Sequence, residues 1–263
     1  MQRHHLVGCA AAVAAALTLR RMMRTENGPG GHVQHRRGRQ PPLQEWLGGS
    51  PAAVLHCGAL LSSTLYCRAI DPYASLKCAL CFARVRHGES WRLLTNFFVL
   101  PGAPREQLIG LLCALYDLKT FGSELETQFA HRTADYIWFL LLTGLVEVGL
   151  AALLAPPPAF LAEAAVAAVV HLWSQRCVTR RIMLYGLVDI EARYLSVASV
   201  GLKFLLSDAW PVEQILGITA AQLYHLASED SKAAQLLRAP WPLRKLIDGD
   251  TAALRGGRRL GGR

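Results

Sequence analysis

At 263 residues the chain has room for one large domain or two small ones, and its composition decides the class: 52% of residues are hydrophobic and only 18% charged. Soluble domains carry nearer a quarter charged residues, so this balance excludes an ordinary soluble enzyme or binding module and points to a polytopic membrane protein. The formal net charge of +9 is then read as topology-setting charge at helix ends and tails, not as a nucleic-acid footprint.

Residues 1–42 are an N-terminal extension. Leu6 to Leu19 is an Ala-rich apolar run behind Arg3, His4 and His5. It is shorter than the roughly twenty residues that cross a bilayer. A signal-like leader, an organelle transit segment, a disordered cytosolic extension and a true start at Met22 or Met23 all fit it. Asn27 to Pro42 is Gly, Pro, His and Arg without apolar periodicity and reads as disordered.

Residues 43–230 read as the membrane domain. Leu43 to Leu47 is a short amphipathic piece with Trp46 at the interface. The expected spans are Ala52–Cys67, Leu108–Leu118, Ala134–Leu154, Ala159–Trp173, Tyr194–Leu206 and Val212–Leu226. Ala69 to Leu100 is a basic first loop, in which Tyr73, Leu76, Leu80 and Ala83 recur at helical spacing and predict a helix lying in the headgroups. The Pro156-Pro157-Pro158 run enforces a tight turn, and Ser174 to Arg193 is a longer connection. Residues 231–263 are a basic tail. The N-terminal segment, the fourth-to-fifth connection and the tail are Arg-rich, which places both termini in the cytosol. In this arrangement the first loop is basic and lumenal, which an embedded amphipathic helix tolerates. Spans of about fifteen residues reach only about 23 Å against a core near 30 Å, so the first, fifth and sixth are expected to thin the bilayer.

The first loop ends in Ser90-Trp91-Arg92-Leu93-Leu94-Thr95-Asn96-Phe97-Phe98. Trp91 and Arg92 each join an apolar body to a polar end, which suits a lipid–water boundary. Thr95 and Asn96 can satisfy backbone groups at a turn. Arg92 is expected to bond loop carbonyls or phosphate, and these residues to anchor the loop. Further on stand Leu125-Glu126, Phe129, Arg132 and Ala134-Asp135-Tyr136, then His171-Leu172-Trp173-Ser174-Gln175, Arg193-Tyr194-Leu195, Leu216-Gly217 and Leu223-Tyr224. In order and spacing this set resembles the derlins, rhomboid-like membrane proteins of endoplasmic-reticulum-associated degradation. The resemblance covers roughly Leu43 to Ile247. It implies an all-α membrane protein: a six-span rhomboid-like helical bundle with an interfacial first loop.

The protease chemistry of rhomboids is absent where it is expected. A buried Ser needs a base within hydrogen-bond reach. The fourth span has no Ser before Ser174. Gln222 stands where the resemblance places the protease His, and an amide is no general base near neutral pH. Gly217 and Ala221 give small residues at i and i+4, a spacing that lets membrane helices approach closely. Glu147, Glu163 and Lys203 are ionisable residues inside spans, which are costly in lipid. By the topology above all three fall in the lumenal half, as separate snorkelling side chains or as the lining of a hydrated cavity with a carboxylate near Lys203. Of the seven cysteines, Cys57 and Cys113 lie in apolar runs, and Cys78 and Cys81 form a lone pair without further metal ligands.

The resemblance implies a non-catalytic role in retrotranslocation of misfolded proteins, with no cofactor. It implies a membrane ubiquitin ligase and a Cdc48-type AAA+ unfoldase as partners, misfolded proteins as substrates, and a homo- or hetero-oligomer in the endoplasmic reticulum membrane. Leu254, Gly257, Arg259 and Leu260 resemble a degenerate copy of the tail box by which several derlins bind that unfoldase; otherwise the tail is solvated charge. A protein-import role in a plastid-surrounding membrane and an active intramembrane serine protease are the alternatives.

Overall fold

The computed structural model describes residues 50–69, 73–102, 104–129, 132–154, 159–185, 188–207, 210–230 and 233–247. The leader-like segment, Trp46, the triple-proline turn and the tail box lie outside the described residues.

The apolar stretches fold as helices. α1 is Pro51–Ala69, and three short helices follow in the first loop: α2 (Ala74–Cys78), α3 (Phe82–Arg86) and α4 (Arg92–Thr95). α5 (Pro104–Asp117) runs through a π-helical turn (Leu118–Gly122) into α6 (Ser123–Gln128). Then come α7 (Thr133–Ala152) and α8 (Ala162–Arg176), a hairpin of β1 (Arg181–Leu184) and β2 (Val188–Glu191), and a 3-10 turn (Ala192–Tyr194). α9 (Leu195–Ser207), α10 (Val212–Glu229), α11 (Ala233–Leu236) and α12 (Trp241–Ile247) complete the described chain. Among the described residues, α7 alone is long and apolar enough to cross a bilayer by itself.

Two expectations need correction. The first loop is not one surface helix. Its apolar spacing is interrupted at Ala79 and Cys81, which are extended, and Leu80 is buried with its N–H on the Ala159 carbonyl at 2.7 Å. Nor is the protein wholly α. The fourth-to-fifth connection contains an antiparallel hairpin with Arg181 opposite Glu191 and Leu184 opposite Val188. Its residues alternate: Ile182 and Ile190 pack against the core, Leu184 is buried in it, and Arg181, Met183 and Asp189 are exposed. That is the period of two that a half-buried strand requires.

α8 is the central helix, because small residues line most of its length: Ala162, Ala164, Ala165 and Ala168 are buried. Its most extensive partner is α10. A Cβ on Gly217 would stand 2.8 Å from the Ala164 Cα, so only glycine allows this approach. Buried Ala221 continues the contact face one turn on. Around them Trp173, Phe121, Tyr136, Phe139 and Tyr224 fill the core, with Phe121 and Trp173 ring centres 4.6 Å apart.

Candidate functional site

Four polar clusters interrupt this apolar bundle. The first knits the first loop. Arg92 is 2% exposed. Its Nη1 donates to the carbonyls of Leu76 at 2.7 Å and Ala79 at 2.9 Å, and its Nε to Glu89 at 2.5 Å. Thr95 Oγ1 donates to the Cys78 carbonyl at 3.3 Å. Buried Asn96 donates to the carbonyls of Arg92 and Leu93 and accepts from the Leu161 N–H at 3.2 Å, tying the loop to the start of α8. A guanidinium suits this work because it presents several donors in a fixed fork. Trp91, its neighbour, is exposed. Cys78 and Cys81 are free thiols beside the knot.

The second cluster lies at the Thr133 end. Glu126 on α6 is 1% exposed. Its carboxylate accepts from the N–H groups of Ala52 at 3.2 Å and Ala53 at 2.9 Å, and from Thr133 Oγ1 at 3.0 Å. It therefore caps α1 from far along the chain, satisfying donors that a helix start leaves open. Asp135 in the first turn of α7 accepts from the Ala239 N–H at 2.9 Å and stands 3.8 Å from both Arg132 and Arg244. Tyr136 is fully buried, and a Cβ on Gly122 would meet its hydroxyl at 3.3 Å. These four motif residues thus hold the ends of α1, α6, α7 and the segment before α12 in one place.

The third cluster joins α8, α9 and α10. His171 Nε2 bonds Gln222 Oε1 at 2.8 Å, and Nδ1 lies 3.0 Å from Ser196 Oγ. Ser174 Oγ donates to the His171 carbonyl at 2.7 Å and lies 3.4 Å from Ser196 Oγ. Gln222 is thus a bonded member of a buried network that ties three helices.

The fourth group holds the ionisable residues within the apolar helices. Lys203 on α9 pairs with Glu163 in the first turn of α8. Glu147 is not brought to them: it is fully buried on α7, and neither carboxylate oxygen has a hydrogen-bond partner among the described residues.

Two features escape a reading from residues alone. Ser196 sits in a stretch whose spacing gives no sign that it faces His171. The hairpin tip is docked on α5: Tyr185 Oη donates to Asp117 Oδ2 at 3.0 Å, and its ring lies 5.5 Å from that of Tyr116. Tyr185 takes φ +46, a left-handed conformation uncommon for a bulky side chain. Alternation in Arg181-Ile182-Met183-Leu184 and Val188-Asp189-Ile190-Glu191 around Gly186 is the signal that would have found the hairpin.

Residues 60–241 match the Der1-like family. Among curated proteins the chain is similar to Derlin-1 of Arabidopsis thaliana, 33% identical over 137 residues, which are 51% of this chain and 49% of the relative. It is similar to Derlin-1 of Oryza sativa subsp. japonica at 31% over 52% of this chain and 55% of the relative. It is similar to Derlin-2 of the same rice at 28% over 55% and 60%. The chain thus spans about half the length of the curated relatives it matches.

Proposed function

The chain belongs to the Der1-like family, and from that premise we propose that it is a non-catalytic component of endoplasmic-reticulum-associated degradation, helping misfolded proteins cross to the cytosol. The observation that carries this reading is the family match over residues 60–241. On this reading the bundle crosses the endoplasmic reticulum membrane six times with both termini cytosolic. The Glu126 and Asp135 cluster then lies at the cytosolic end and the Arg92 knot at the lumenal end. The short α9, of 13 residues, favours a locally thinned bilayer that eases passage of polar segments. The cytosolic unfoldase of the Cdc48 type supplies the work, recruited in part by Leu254, Gly257, Arg259 and Leu260, and a membrane ubiquitin ligase marks the substrate. The test is the half-life of a misfolded lumenal reporter in cells that depend on this protein. The expected result is stabilisation on its loss and rescue by the wild type. A reporter degraded equally with and without it would overturn the reading. A plastid-surrounding address is decided separately, by mapping the mature N-terminus.

One observation favours hydrolysis instead, the contact between Ser196 and His171. It lacks what a nucleophile needs: both residues are buried, and the other imidazole nitrogen meets a neutral amide, not a carboxylate. Labelling of Ser196 by a fluorophosphonate would establish that reading.

A further inference from the structure

The last described helix has one face held by protein and one face left over. Pro242 falls in the first turn of α12, where a missing N–H breaks no helix bond. The Ala239 N–H just before it and the Arg244 side chain within it both meet Asp135, so α12 is pinned beside the first turn of α7. At about 100° per residue, Leu243, Arg244 and Ile247 share the arc turned inward, and all three are half-buried. Trp241, Pro242, Lys245 and Leu246 share the opposite arc of about 140°, and all four are exposed. Trp241 is 70% exposed and Leu246 77%, so most of each side chain has no protein against it.

The outer face is apolar with one cation set into it. Lys245 Nζ stands 5.1 Å from the centre of the Trp241 ring, which holds the ammonium and the indole on the same side. Exposed Arg238, just before α12, adds a second cation. Residues 233–247 contain Arg238, Arg244 and Lys245 and no Asp or Glu. Asp135, the acid that α12 touches, already faces Arg132 and Arg244. The sequence beyond keeps the positive surplus, with Asp248 and Asp250 against Arg255, Arg258, Arg259 and Arg263. We propose that α12 is an interfacial helix that docks on an anionic phospholipid surface through Trp241, Lys245 and Leu246. A seven-residue helix offers a convex ridge and not a groove, which suits a deformable lipid surface better than a peptide. The indole and the Leu side chain enter the edge of the acyl layer, and the ammonium stays among the headgroups. The positive surplus selects anionic lipid by charge complementarity. The proposal does not rest on the transport role, and reporter turnover is not its readout.

The test is tryptophan quenching in the full chain, reconstituted in phosphatidylcholine vesicles that contain either brominated phosphatidylserine or brominated phosphatidylcholine in matched amounts. Subtracting the signal of a Trp241→Phe protein isolates Trp241 from the other tryptophans. The expected result is stronger quenching by the serine lipid, with half-quenching at a lower content of it. Lys245→Ala should raise the serine lipid needed on the order of five-fold, the weight of one cation near an anionic surface. Lys245→Arg should restore the wild-type value. The Lys245 side chain is exposed, so neither change disturbs the fold. Equal quenching of Trp241 by the two lipids would overturn the proposal, and so would no quenching by either. A photo-crosslinking residue at position 246 identifies the occupant directly, and the expected adduct is phosphatidylserine. A covalent dimer in the vesicles, or an adduct with another protein in native membranes, would assign the face to protein and overturn the proposal.

Discussion

The first loop and the hairpin solve the same problem in opposite ways. Each is a connection without a long helix at the edge of a helical bundle, and each must satisfy its backbone groups. The loop, with only short helices, relies on one buried side chain: Arg92 supplies bonds to two carbonyls and to Glu89. The hairpin satisfies its backbone by its own ladder, and side chains only hold it in place, through Tyr185, Arg180 and Gln128. The lesson is that irregular chain concentrates its stability in few residues, while a ladder distributes it. Substitutions in the loop should therefore be severe and local, and those in the hairpin graded.

Arg92→Ala should have the largest effect. It leaves the Leu76 and Ala79 carbonyls and the Glu89 carboxylate without the buried guanidinium, at a cost of about 3–5 kcal/mol. Denaturation in mixed micelles should show the loss, and trypsin should cut at exposed Arg84 and Arg86. Arg92→Lys should recover only part, since an ammonium lacks the fork. An Arg92→Ala protein as stable as wild type would erase the contrast.

Tyr185→Phe comes next. It keeps the ring against Tyr116 but leaves the buried Asp117 without its donor, for about 1–3 kcal/mol. Hydrogen exchange should rise in 181–191 and not in the first loop. Arg180→Ala removes an exposed pair with Glu124 and should cost about 0–1 kcal/mol, shrinking further at high salt. Arg84→Ala sharpens the comparison from below. Its pair with Glu89 is long and exposed, so the change should stay within about 0.5 kcal/mol. Reporter turnover should follow the same order, and equal effects of Arg92→Ala and Arg84→Ala would mean that bulk charge alone matters.

Composition and hydropathy were enough to place the helices. Apolar stretches withdrawn from water must bond their backbone groups internally, and each stretch expected as a span corresponds to a helix within a few residues. The motif residues could also be located by spacing. What they do was settled only by tertiary structure. Glu126 reads only as an acidic residue of the motif until it meets Ala52 and Ala53, which stand more than seventy positions earlier. Gln222 reads as a lost protease residue until His171 and Ser196 are brought to it. Tyr185 gives no local hint of Asp117. The physical reason is that helix formation is a local response to the solvent, decided by neighbours in sequence. The partner of a buried polar group is decided by which distant atoms the packing of α8 against α10 and the bundle ends leaves within about 3 Å.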